Sequence, residues 1–286
     1  MNCTSAISAA LLDQVVSEFE SGRVTGAVLM LAGMLDAVAT DSSEVAVCRK
    51  QIARHPLRQF LGHTTGATLS QPAPDGLSAW ERQLHAAVGQ LGFVRGLRVR
   101  RELGARAIEA AWQQGQRIAL LDCGELGELD RLKCRALDNV VLVHRDRSSA
   151  EAIAAVHVPR LAILAPHQVA NQRFDLQLAT ADDCPATELA ARLSAIATQL
   201  APGGSLLLSA FAPGHLGAGW QAVCMGRDLN CHDEPSLTAA ARAAGLAIAH
   251  YRDSSGSLIW AALHHAGTSR AFKGESTWIS PPTSAR

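Results

Sequence analysis

At 286 residues and 30.2 kDa the chain is long enough for one large α/β domain, or for a small unit beside a core domain. Its 48% hydrophobic, 18% charged and 4% aromatic content places it among chains that bury a core and excludes a disordered one. With 26 Lys and Arg against 26 Asp and Glu, and no basic run longer than Arg100-Arg101, charge gives no ground for a nucleic-acid or membrane partner, so a small-molecule substrate is expected.

From Ser5 to Gly115 apolar residues recur at helical spacing, first as Ile7, Leu11, Leu12, Val15, Val16 and Phe19, then from Val24 through Leu35. The front third is therefore predicted to be helical, without strands. Val24 to Val38 is shorter than the roughly 20 residues that span a bilayer, and Asp36 interrupts it, so it reads as a buried helix of a cytoplasmic protein. Glycine and proline punctuate the chain at Gly62-His63-Thr64-Thr65-Gly66 and Gln71-Pro72-Ala73-Pro74-Asp75-Gly76, after which Ser78 is placed to cap a new helix. The seven cysteines, at 3, 48, 123, 134, 184, 224 and 231, are odd in number and contain no C-x-x-C pair. Reduced thiols are expected, with neither a disulfide framework nor a metal site.

Beyond Arg117 the period changes. Ile118 to Leu121, Val140 to Val143, Leu161 to Leu164, Leu176 to Ala179 and Leu206 to Leu208 are short continuous apolar runs, as strands buried on both faces require. Helical stretches such as Thr187 to Leu200 lie between them, so a mostly parallel sheet with crossovers is predicted. Leu246 to Tyr251 and Leu258 to Leu263 flank the turn-forming Asp253-Ser254-Ser255-Gly256, and an antiparallel hairpin should close the sheet.

The first predicted strand ends at Asp122 and leads into Cys123-Gly124-Glu125-Leu126-Gly127. A strand, a glycine turn and a helix let backbone approach a nucleotide or amino-acid ligand closely, although a two-glycine turn alone is equally compatible with a plain connection. The second strand ends at His144-Arg145-Asp146, where a carboxylate can hold a ribose, and the fourth at Ala179-Thr180-Ala181-Asp182-Asp183.

In this order of elements the chain resembles the class I S-adenosylmethionine-dependent methyltransferases. Phe174-Asp175-Leu176, the helix through Leu193 and Leu200, and Ala201-Pro202-Gly203-Gly204-Ser205 before Leu206-Leu207-Leu208 look like that family's fourth strand, following helix and fifth strand. It is similar more narrowly to the bacterial 3-hydroxy fatty acid methyl ester synthase-like group. That likeness rests on His55-Pro56-Leu57, on Arg98, Arg100 and Arg101, on Ser209-Ala210-Phe211-Ala212-Pro213, and on the Gly217 to Met225 helix. It covers Gly22 to Leu263 and departs at His144, which stands where the family has an acidic residue. It departs also in the loop at Gln71 to Gly76, and in the single tyrosine, Tyr251, on a late strand.

The resemblance implies an α/β, Rossmann-like methyltransferase sheet, mostly parallel with an antiparallel C-terminal hairpin, and an N-terminal helical cap. It places the cap at residues 1–91, a domain binding S-adenosylmethionine at 92–266 and a C-terminal tail at 267–286. The implied cofactor contacts are Arg98, Asp122, Gly124, Gly127, His144, Asp146, Thr180 and Asp182, with Asp146 taking over the ribose and His144 packing beside it. Arg98 and Arg101 share one helix face, suited to the carboxylate of the methionine moiety. No catalytic residue is assigned: a carboxylate acceptor needs no base, while an amine or hydroxyl acceptor could use His63, His144, His215 or His232. His264-His265 is discounted as a metal pair, because neighbours on a strand point to opposite faces.

The leading expectation is methyl transfer to a small molecule, such as a carboxylate or a biosynthetic intermediate. Two alternatives stand beside it: displacement at the aminobutyryl carbon with release of methylthioadenosine, and a non-catalytic methyltransferase-like partner protein. Oligomeric state is left open, a homodimer included.

Overall fold

The computed structural model describes residues 7–61, 75–122, 128–129, 137–144, 151, 161–227 and 229–267. The chain divides into two compact units, one from Met1–Arg98, Ala212–Leu229 and Ser254–Leu258, the other from Val99–Phe211, Asn230–Asp253 and Ile259–Arg286.

The first unit is helical, with α1 (Ala9–Glu20), α2 (Val24–Val38), α3 (Ser42–Arg54), α4 (Arg58–Leu61), α5 (Ala79–Val88), the start of α6 (Gly92–Gln113) and, between the fifth and sixth strands of the chain, α8 (Ala218–Val223). Side-chain caps set several of these starts. Asp41 accepts from the Ser43 and Glu44 amides at 2.7 and 3.3 Å, and Ser78 forms a reciprocal box with Glu81, satisfying N–H groups that the first turn leaves unpaired. Helix α2 packs on α1, α5 and α8 through Val24, Ala27, Val28, Leu31, Ala32, Leu35 and Val38. The helix expected to be buried is so along this face, while Leu29 on the opposite face is 50% exposed. Asp36, which interrupts the apolar run, accepts from the Gly217 and Gly219 amides at 2.8 Å each and so caps α8. That cap demands close approach. A Cβ on Gly219 would lie 2.1 Å from the Leu35 carbonyl carbon, which fixes glycine there.

The second unit carries a seven-stranded sheet in the order β3-β2-β1-β4-β5-β7-β6. Its strands are β1 (Ile118–Leu121), β2 (Val140–Val143), β3 (Ala162–Leu164), β4 (Phe174–Thr180), β5 (Leu200–Phe211), β6 (Leu246–Arg252) and β7 (Leu258–His265). Strands β1 to β5 pair in parallel, and β6 with β7 antiparallel. The fold is thus the Rossmann-like sheet that the sequence leads one to expect, and β1, β2 and β4 are buried as their unbroken apolar runs require, whereas β3, expected to be buried on both faces, is an edge strand with Ala162 exposed and Ile163 and Leu164 half-buried. Helices α7 (Ala186–Ala197) and α9 (Glu234–Ala243) pack together, and Leu189, Leu193, Leu237 and Ala241 are fully buried.

The Pro-Gly-Gly segment has a physical explanation in this sheet. Phe174 pairs with Leu200 and Leu176 with Ser205, so residues 201–204 bulge from β5 against a single residue of β4. Gly203 takes φ +78°, and a Cβ on Gly204 would lie 2.8 Å from the Phe174 carbonyl oxygen. Only glycine serves at both places.

Candidate functional site

A parallel sheet presents the carboxyl ends of its strands along one edge, and ligands bind there where the strand order reverses. Here the chain runs β1, β2, β3 outward in one direction and then returns to place β4 on the other flank of β1. The reversal lies between β1 and β4, so the edge is defined by Asp122 after β1, His144 after β2 and Thr180 to Asp183 at the end of β4.

Asp122 donates its amide to the Val143 carbonyl at 3.0 Å, and His144 donates its own to Leu164 at 3.1 Å, so both residues still belong to the ladder. Asp122 has φ +47°, and among the described residues it is the only non-glycine with positive φ. This left-handed conformation costs on the order of 1 kcal/mol for an ordinary residue and is tolerated best by Asn and Asp. Its carboxylate Oδ2 lies 3.6 Å from Nη2 of Arg192 on α7, and Nη1 of the same guanidinium lies 2.5 Å from Asp183 Oδ1. Burial opposes the charge on Arg192, but the hydrogen bond to Asp183 and the fields of Asp183 and Asp122 outweigh it and raise its pKa above the usual value. The arrangement is two strand-end carboxylates joined by a permanent cation across the reversal point.

Asp182 is placed differently from its neighbours. Its Oδ2 accepts from Arg100 Nη1 at 2.6 Å, and its Oδ1 accepts from Arg100 Nη2 at 3.1 Å and from the Phe211 amide at 3.3 Å. The guanidinium stacks 5.0 Å from the Phe211 ring centroid, and both charged residues are 9% exposed. Asp182, expected among the cofactor contacts, ties helix α6 to the ends of β4 and β5. Arg100 had no such role in the sequence reading, yet a signal for it was present. Phe93, Leu97, Gly104, Ala107 and Ala111 recur every three or four residues along α6, all buried, and Arg100 falls in that stripe.

Arg98 donates Nη1 to the Gly89 carbonyl at 3.1 Å within the first unit, while Arg101 belongs to the second. Thr180 sits at the end of β4, half-buried. Gly124, Gly127 and Asp146 lie outside the described residues, as does His63. Of the histidines considered as bases, His215 is 5% exposed and donates Nδ1–H to the Ala212 carbonyl at 2.9 Å, with Nε2 2.6 Å from the Gln221 side-chain oxygen. His232 is 1% exposed, and its Nε2 lies 3.1 and 3.0 Å from the Ala181 and Cys184 carbonyls. Carbonyls only accept, so that nitrogen carries the proton and His232 fastens the turn after β4. Both are packing residues, and His144 is the histidine at the strand edge. Beside His232, burial first and the Asp182 charge second push the Cys231 thiol up to about 11. Such a thiol is protonated and unreactive at neutral pH.

No family model and no curated protein matches this chain. Among solved structures, a possible exported protein from Bordetella parapertussis is similar over 91% of this chain and 99% of its own, at 17% identity and a TM-score of 0.54. An S-adenosylmethionine-dependent methyltransferase from Clostridium acetobutylicum ATCC 824 is similar over 58% of this chain and 92% of its own, at 12% identity and TM-score 0.43. An O-methyltransferase family protein from Burkholderia thailandensis is similar over 78% of this chain and 72% of its own, at 17% identity and TM-score 0.44. The first likeness is one of fold alone, and the two methyltransferases lie too far away to carry a functional argument.

Proposed function

We propose that the protein is an S-adenosylmethionine-dependent methyltransferase acting on a small molecule. The observation that carries this reading is Asp122, a carboxylate-bearing residue held at φ +47° where the strand order reverses between β1 and β4. A ligand with an ammonium group and a ribose diol brings donors to that edge and needs acceptors there, and the carboxylate of Asp122 and the imidazole of His144 are of the right chemistry. The residues present therefore fit the cofactor. Asp122, His144 and Thr180 would hold it, together with Gly124, Gly127 and Asp146, which lie outside the described residues.

When bound, S-adenosylmethionine supplies a methyl group on a sulfonium centre. The chain's own task is alignment, since an in-line displacement that consumes positive charge gains most from near-attack geometry. His144 is the histidine at the edge that can serve as base for an acceptor that must lose a proton. The acceptor we favour is a carboxylate such as that of a hydroxy fatty acid, a choice resting on the likeness at His55-Pro56-Leu57 and Arg98 to Arg101. A cytoplasmic location belongs to the same reading.

Calorimetric titration with S-adenosylmethionine and S-adenosylhomocysteine tests the reading, and a one-site isotherm is expected for both. No heat from either would remove the cofactor assignment. Among products of turnover, S-adenosylhomocysteine is expected and methylthioadenosine would overturn methyl transfer.

A further inference from the structure

We propose that Arg192 is a positioning residue for cofactor binding, which it serves by holding the Asp122 carboxylate in place across the reversal point; this rests on the cofactor reading above. The guanidinium reaches from α7, the helix that follows β4, to the residue that ends β1. It thus links the two flanks between which a ligand would lie. Its two carboxylate contacts are unequal. Asp183 Oδ1 at 2.5 Å is the anchor, and Asp183 is largely solvated, with its side chain 57% exposed. Asp122 Oδ2 at 3.6 Å is a looser, mainly electrostatic contact, so the carboxylate is oriented by the cation without being consumed by it.

Arg192 cannot drift to suit. Its side chain is 13% exposed, and the adjacent Leu193 and the residue one turn earlier, Leu189, are fully buried and fix α7 against its neighbours. This separates it from an exposed surface pair, whose two long side chains contribute little. The planar fork is what lets one side chain serve two carboxylates, and a lysine ammonium, a single point on a flexible stem, cannot hold both in that geometry. The three charges sum to −1, a balance that suits the ammonium and sulfonium of the proposed ligand. Asp122 is then the group that touches the ligand, and Arg192 acts through it.

A double-mutant cycle read by calorimetry with S-adenosylhomocysteine tests this, using Asp122→Asn, Arg192→Gln and the double variant. Each single change is expected to weaken binding by about tenfold, the scale of one lost charge-assisted hydrogen bond. The double variant is expected to bind within about twofold of Asp122→Asn alone, because a residue that works through Asp122 has nothing left to position. Arg192→Lys, expected between wild type and Arg192→Gln, takes the place of the latter if thermal melts show that Arg192→Gln does not fold. Losses that multiply in the double variant, or wild-type affinity in either Arg192 variant, overturn the inference while leaving the cofactor reading intact. A wild-type protein that binds no S-adenosylhomocysteine overturns the cofactor reading itself, and the inference with it.

Discussion

The Arg100–Asp182 pair allows a quantitative test of how the second unit is held together. Both side chains are nearly out of water, at 11% and 13% exposure, and they meet through two hydrogen bonds at 2.6 and 3.1 Å. Removing one member takes from the other its bidentate counter-charge. Arg100→Met leaves the Asp182 carboxylate with the Phe211 amide, and Asp182→Leu leaves a guanidinium against the Phe211 ring. Breaking a buried pair in this way costs about 3–5 kcal/mol, which at roughly 2–4 °C per kcal/mol for a domain of this size lowers Tm by about 6–20 °C. Replacing both partners removes both charges, so Arg100→Met/Asp182→Leu should be more stable than either single variant. It still loses the acceptor of the Phe211 amide, at about 1–3 kcal/mol. Differential scanning calorimetry of the four proteins at pH 7 reads the cycle. Single variants that each cost under about 1 kcal/mol, or a double variant whose loss is the sum of the singles, would refute the pair as an element of stability.

Two glycines of the helical unit should respond in opposite directions to alanine. Gly219→Ala drives a Cβ into the Leu35 backbone and separates α8 from the Asp36 cap, at about 1–3 kcal/mol or more, whereas Gly33→Ala, exposed on α2 with nothing within 4 Å, should gain up to about 1 kcal/mol in a urea titration. Acid should loosen both units through their helix caps. Hydrogen bonds from the side chains and amides of Ser43 and Ser236 hold the Asp41 and Asp233 carboxyls below the usual range. Their contribution is therefore present above the unfolded value of about 3.9 and lost as pH falls through the lower folded value. Circular-dichroism melts should show Tm falling between about pH 5 and pH 2.5, and falling less for Asp41→Asn, which caps without titrating; an equal fall would reject Asp41 as a contributor.

The sheet was legible in the sequence because its signals are local. Unbroken runs such as Ile118 to Leu121 and Val140 to Val143 mark strands buried on both faces, and they coincide with β1 and β2 to the residue. The turn at Asp253 to Gly256 likewise announced the β6–β7 hairpin, and Ser78 announced α5. What lies at the carboxyl edge was legible in part, since a residue that ends a parallel strand must lie there, and Asp122, His144 and Thr180 were found on that ground. The partners of those residues were not, because a partner is chosen by tertiary geometry across long stretches of chain. Asp182 and Asp183 are adjacent carboxylates that look alike in sequence. Packing alone sends the first inward to Arg100, 82 residues away, and leaves the second at the surface to anchor Arg192. In the same way Asp36 interrupts an apolar helix for a reason found only 181 residues later, at the Gly217 amide. Composition and periodicity fix which segments must be buried, because burial is decided residue by residue. Which buried charge meets which is decided by the fold, since an ion pair stabilises only when both members arrive in the same few ångströms.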